Sequence, residues 1–304
     1  MTVRFSHNRV FRVILACFSF TAVACATAPI KPKTPFSGTR ALAYTRRAVS
    51  FGLRPSGSAA IGKLRAWIVS ELKPLGAEVS LDSFTGRTPA GPVSMANIVA
   101  RFPGNGKTAL VVTGHYDTKP IPMVQFVGAN DAGSSTGFLL ELAGVIAHTK
   151  HQDDIVLVWF DGEEAVGQWS DTDSLYGSRH LETKWAADGT LSRVKALINV
   201  DMIGDKNLDI VNDMNSSQSL RELMLQTADE LGYGKYFLRT GSGIDDDHIP
   251  FVSSGTNALD IIDFDYGPNN SYWHTEKDTM DKLSAGSFQL VGDVVVKMLQ
   301  KLDG

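Results

Sequence analysis

The residues of this chain that could do chemistry are acids and histidines placed just past apolar runs. His115 and Asp117 follow "TALVVTG", Glu163 and Glu164 follow "DIVLVWFDG", Asp201 follows "VKALINV", and Asp131 lies in the glycine-rich "GANDAGSSTG". Asp246, His248 and His274 come later. Several carboxylates converging on one place repel one another and rise in pKa unless a cation neutralises them. Asp, Glu and His also supply the oxygen and nitrogen donors that Zn²⁺ accepts, and a catalytic zinc keeps one coordination position open. Each residue alone has a plainer role, as a helix cap or a hydrogen-bonded edge residue. As a set they point to a metal site. His7, His148, His151 and His180 lack that setting and read as surface or structural residues.

The elements that must position this set are legible from periodicity. "TALVVTGHYD", "DIVLVWFDGEE", "VKALINVDMIG" and "NALDIIDFD" have the length and β-branched content of strands buried on both faces. "EVSLDSFTG" and "SMANIVARFPG" alternate like half-buried strands. The spacing of Ile61, Leu64, Ile68 and Leu72, after a serine-rich start and before Gly76, predicts an amphipathic helix. Further helices are predicted in "SSTGFLLELAGVIAHT", "SSQSLRELMLQTADELG" and "SAGSFQLVGDVVVKMLQKL". The fold class is therefore α/β, a three-layer sandwich with a central mixed, mostly parallel sheet flanked by helices. Ligand sites in such sheets lie at the carboxyl ends of the strands, where the acids and histidines stand. Trp67, Trp159 and Trp185 read as packing residues.

The 304 residues are 43% hydrophobic with a net charge of −4, enough for a single catalytic domain over residues 38–304. Basic residues are scattered, which argues against a nucleic-acid partner. Residues 1–25 differ in kind. Arg4, Arg9 and Arg12 precede the short apolar "VILACFSFTAVA", the pattern of a signal peptide too short to span a bilayer. The expectation is an exported protein, periplasmic or secreted. "AVAC" resembles a bacterial lipobox, which would place a lipid anchor at Cys25; a simple signal-peptidase site is the alternative. Residues 26–37 read as a proline-rich tether. Cys17 lies within the signal, so the mature chain has no intramolecular disulfide. A monomer is expected.

The ordered motifs "GHYDT", "GANDAGSSTG", "FDGEEA", "VDMIG", "DDHIPF" and "WHTEKDTMDKL" resemble those of the zinc aminopeptidase superfamily over roughly residues 45–302. Within it they are most similar to animal-type (type II) glutaminyl-peptide cyclotransferases, here as a bacterial member. That resemblance implies one zinc held by Asp131, Glu164 and His274, and N-terminal glutaminyl peptides as substrates. It implies Glu163 as general base and acid, with Asp201 and Asp246 as paired acids that place the amine. Trp169 and Trp273 would wall a small pocket. "DFDYGPNNSY" is longer than the matching loop of animal cyclases and would shape substrate entry, with Phe264 and Tyr266 as contacts. His115 and Asp117 would brace the site, and His248 would stand beside its entrance in a hydrogen-bonding role.

The peptidase branch is the rival. It would add His115 and Asp201 around a second metal, with Glu163 activating a bridging water. Three features favour the cyclase: the inserted "WSDTDSLYGSRH" carrying Trp169, Trp273 directly before His274, and Asp246 in "IDDDHIPF". The disulfide typical of animal cyclases would need cysteines at Gly114 and Thr136, and neither is one.

Overall fold

The computed structural model describes residues 30–104 and 107–304. The predicted signal peptide, Cys25 and residues 26–29 of the predicted tether lie outside the described residues.

Six strands form one sheet in the order β1-β2-β4-β3-β5-β6. They are β1 (Glu78–Thr88), β2 (Gly91–Phe102), β3 (Ala109–His115), β4 (Asp154–Phe160), β5 (Val194–Asp201) and β6 (Ala258–Ile262). β3, β4, β5 and β6 run parallel, while β1 and β2 form an antiparallel hairpin on the β4 edge. The sheet is thus mixed and mostly parallel, as the apolar runs predict.

Alternation along the central strands decides where the layers sit, because successive side chains point to opposite faces. Ile155, Leu157 and Trp159 of β4 enter the larger core, and Val156, Val158 and Phe160 enter a second one. The larger core is roofed by α1 (Gly38–Val49), α2 (Ala59–Leu72), α3 (Gly133–Ala147), α5 (Gln218–Glu230) and α7 (Ala285–Leu302). The smaller is covered by α4 (Tyr176–Asp188) and α6 (Ile249–Ser253), through Leu181, Trp185 and Phe251. Helix starts follow the serines: Ser37, Ser58 and Ser284 each accept a first-turn N–H through the side chain. Where α1 crosses α3, a Cβ at Gly137 would collide with Ala41 O and Thr45, so only glycine allows that approach. Among the described residues no helix is long and apolar enough to cross a membrane.

The tether expectation needs correction at its C-terminal end. Lys33 and Thr34 donate backbone N–H groups to Asp293 of α7 at 3.0 and 2.9 Å. Phe36 is buried with its ring 4.9 Å from that of Phe138. A buried carboxylate needs donors, and the segment entering α1 supplies them. It is packed as part of the domain.

Candidate active site

Parallel strands deliver the site. β3 ends on His115, β5 on Asp201, and β4 runs into Asp161–Glu164, all at carboxyl ends. Asp131 lies just before α3, and His274 comes from the loop after β6. Three of the junction residues have left-handed backbone: Ala132 (φ 74), Met202 (φ 51) and His274 itself (φ 54). Such conformations cost of order 1–3 kcal/mol each and persist where surrounding contacts over-determine them. Here each sits on or next to a site residue.

Nε2 of His274 lies 3.0 Å from Oε1 of Glu164 and 3.2 Å from Oδ2 of Asp131. On the other side of Asp131, Nε2 of His115 is 3.2 Å from Oδ1 of Asp131 and 3.1 Å from Oδ1 of Asp201. Two groups therefore offer ligand atoms within 4.8 Å of one another, sharing Asp131: Asp131 with Glu164 and His274, and His115 with Asp131 and Asp201. Oδ2 of Asp131 is buried and makes no well-formed hydrogen bond. An unsatisfied buried carboxylate oxygen facing an imidazole and a second carboxylate is the donor set a zinc ion requires. The first group fits the metal.

Electrostatics points the same way. Burial drives Glu163 well above the ordinary carboxyl range; His115 opposes this, while the charges of Glu164, Asp246 and Asp247 add to it. Asp201 is raised by burial against the pull of His115. Asp246 is pushed up to about 6 by burial and then by Asp201. Burial alone would lower His274, but Asp131 and Glu164 outweigh it and raise the imidazole to about 9. Without a metal, a proton on His274 offsets the two carboxylates. Zinc must displace that proton, so below about pH 9 the two compete and affinity rises with pH. From pH 7 to 8 the zinc dissociation constant should fall about tenfold per displaced proton, read by chelator competition. An affinity flat across that interval would show that His274 is already neutral in the metal-free site.

The glutamate pair is held by its backbone. Asp117 accepts the N–H of Glu163 at 3.1 Å and of Glu164 at 3.3 Å, one on each oxygen. Its Oδ1 lies 3.5 Å from Nδ1 of His115. Lys119 reaches Glu164 at 3.4 Å. The cavity in front of these groups measures about 440 Å³ and is walled by Trp169, Phe264 and Trp273, with Asp201 and Asp246 also lining it. Trp273 stacks on the His274 ring at 4.0 Å, and Phe264 meets Trp273 edge-on at 5.1 Å.

Two sequence expectations are corrected. Tyr266 does not face the cavity: it is fully buried, and its hydroxyl donates to Asp278 at 2.7 Å. His248 is not at the entrance. It too is fully buried, with Nε2 3.0 Å from Oδ2 of Asp213. In both cases a polar-rich stretch suggested exposure, while a buried carboxylate outside that stretch draws the side chain inward.

The same contacts reveal residues the sequence reading passed over. Asp278 accepts the backbone N–H groups of Asn130 at 2.8 Å and Asp131 at 3.1 Å, besides the Tyr266 hydroxyl, and so fixes Asp131 from behind. It lies inside the motif "WHTEKDTMDKL", which contains it without marking it. Arg54, fully buried, donates to the carbonyls of Gly52, Val127 and Gly128 and pins the loop leading to Asp131. No local pattern signals a buried arginine. Asp278→Asn would turn an acceptor oxygen into a donor facing an N–H or O–H group. The expected result is a loss of about 10–100-fold in zinc affinity with the fold retained, measured by titration and circular dichroism.

Residues 97–299 match peptidase family M28, and the chain belongs to that family. Over 241 residues it is 32% identical to a glutaminyl-peptide cyclotransferase of Drosophila melanogaster, covering 71% of this chain and 67% of that one. The crystal structure of an Acidobacteriales bacterium glutaminyl cyclase superimposes with a TM-score of 0.86 at 41% identity, covering 91% of this chain and 98% of that one. A Zn-dependent exopeptidase from Parabacteroides distasonis gives a TM-score of 0.77 at 28% identity, with coverage of 87% and 98%. Within family M28 the chain belongs with the glutaminyl-peptide cyclotransferases, as its ordered motifs imply.

Proposed function

We propose that this enzyme converts the N-terminal glutaminyl residue of peptides and proteins to pyroglutamate, releasing ammonia. The observation that carries the proposal is one cavity holding a three-residue zinc donor set, a buried adjacent carboxyl at Glu163 and aromatic walls at Trp169 and Trp273. The cavity, about 440 Å³, has room for a glutaminyl residue with its side chain folded back on its own α-amine.

In the reaction the α-nitrogen forms a bond to the γ-carboxamide carbon, closing a five-membered lactam. The bond from that carbon to the amide nitrogen breaks, and ammonia departs with a proton taken from the amine. An α-amine pKa of about 7.7–8.0 leaves a minority of substrate neutral at pH 7. Asp131, Glu164 and His274 would hold a zinc ion, whose contribution is Lewis acidity toward the γ-carbonyl oxygen. Glu163, raised by burial, is a stronger base than an exposed glutamate. It takes the amine proton and returns it to the leaving nitrogen. Asp201 and Asp246 receive the amine; the charge of Asp201 raises Asp246, so that one charge is favoured over two. Trp169 and Trp273 supply apolar walls that bind the folded side chain.

The convergence of His115, Asp131 and Asp201 favours a second reading, a two-zinc aminopeptidase. One assay separates them: ammonia release from a Gln-initiated dipeptide beside Leu release from a Leu-anilide, on protein with its zinc counted. Ammonia with about one zinc per chain supports the cyclase. Leu release with about two zincs and no ammonia would overturn it.

A further inference from the structure

Between Ala165 and Leu175 the chain leaves the sheet to present Trp169, whose surface is 42% exposed. Packing alone holds a half-exposed indole poorly. What surrounds it is a set of hydrogen bonds converging on one buried carboxylate, Asp173. Oδ1 of Asp173 accepts the N–H of Val166 at 2.9 Å and the hydroxyl of Tyr176 at 2.8 Å. Oδ2 accepts the N–H groups of Gly167 at 2.8 Å and Gln168 at 3.0 Å. On the far side of the tryptophan, the Asp173 N–H and the Ser174 hydroxyl both donate to Ser170 O, at 3.1 and 2.9 Å. Residues 166–168 and 170 are thus tied to Asp173 and Ser174, leaving Trp169 as the crest between two anchored legs. A Cβ at Gly167 would lie 3.1 Å from Oδ2, so a side chain there would crowd the carboxylate. The base of the loop is fastened to the catalytic strand end, with Leu175 N–H on Glu163 O at 2.8 Å and Tyr176 N–H on Gly162 O at 2.7 Å.

We propose that Asp173 is a positioning residue that presets Trp169 as a wall of the substrate pocket, so that the glutaminyl side chain meets a preformed surface. The wall's substrate rests on the cyclotransferase reading; the anchoring of the loop does not. Charge-assisted hydrogen bonds from three consecutive N–H groups make a rigid nest around an anion. Ordering the wall before substrate arrives removes that cost from binding.

The experiment compares the zinc-loaded wild type, Asp173→Asn, Trp169→Ala and the double variant. Each is assayed on a Gln-initiated dipeptide, and acrylamide quenching of Trp169 is read by difference from matched Trp169→Phe proteins. In Asp173→Asn an amide NH₂ must face backbone N–H groups. KM should rise about tenfold with kcat within about twofold, and Trp169 should become more quenchable. In the double variant KM should stay near that of Trp169→Ala, because a positioning residue has nothing left to position. An unchanged KM, a kcat loss as large as the KM rise, or effects that multiply in the double variant would overturn the proposal. Should Asp173→Asn fail to fold, Tyr176→Phe removes one of the four donors and must show a smaller change of the same sign. A wild type that releases no ammonia would sink the cyclotransferase reading alone, since the quenching comparison still decides whether Asp173 holds Trp169.

Discussion

Glu163→Gln should lower kcat for cyclisation by about 10²–10⁴-fold, the range that general acid–base groups contribute, with zinc content unchanged. The substitution keeps the shape of the side chain and removes its ability to take a proton. Glu163 suits this test because its backbone is set independently of its carboxyl. Asp117 holds its N–H, and its carbonyl accepts from Leu175. The carboxyl itself lies 3.7 Å from Nδ1 of His115, with no strong partner to lose. The pH profile carries a second signature. A carboxyl raised by burial must be ionised to act as base, so wild-type kcat/KM falls as pH drops through its pKa. In Glu163→Gln the Glu163 part of that limb should disappear, leaving only the limb set by the substrate amine at about 7.7–8.0. A variant within about threefold of wild type would remove Glu163 from the chemistry.

Removing the metal, or its histidine ligand, should have an effect at least as large. Stripping zinc with a chelator is expected to abolish ammonia release, and about one equivalent of added zinc should restore it. His274→Ala should cost on the order of 10³-fold or more in kcat/KM at ordinary zinc levels, since several kcal/mol of charge stabilisation are lost. The variant also leaves Asp131 and Glu164 facing each other without the imidazole that stands 3.2 and 3.0 Å from them. Two buried carboxylates in that position share a proton or draw a cation. Residual zinc binding should therefore be weak and steeply pH-dependent. His115 serves as the contrast. If one zinc suffices, His115→Gln should retain zinc near one per chain, whereas a two-metal enzyme would lose part of its metal. Full activity after exhaustive chelation would refute the zinc assignment outright.

The layers and their chemistry are legible in the sequence. A strand buried on both faces must be apolar throughout, so "ALVVTGH" and "DIVLVWF" announce themselves, and the buried strands fall where periodicity puts them. The acids at their ends were legible for the same reason, because a polar residue closing an apolar run has few uses. The ordered motifs then carried the family. Packing settled what depends on partners outside the local stretch. Tyr266 in "DFDYGPNNSY" has the local surroundings of an exposed loop residue, yet Asp278 takes its hydroxyl inward. Asp293, near the C-terminus, packs residues 33 and 34 that composition marks as tether. "WSDTDSLYGSRH" reads as one insertion, but α4 begins inside it at Tyr176, and the carboxylate of Asp173 folds the rest around Trp169. The sharing of Asp131 between two groups of metal donors is set by the pairing of β3 with β5 and by the entry of α3. Periodicity reports whether a residue faces oil or water, and it does so locally. Which carboxylate meets which donor is a property of packing, where partners a hundred residues apart meet at 3 Å.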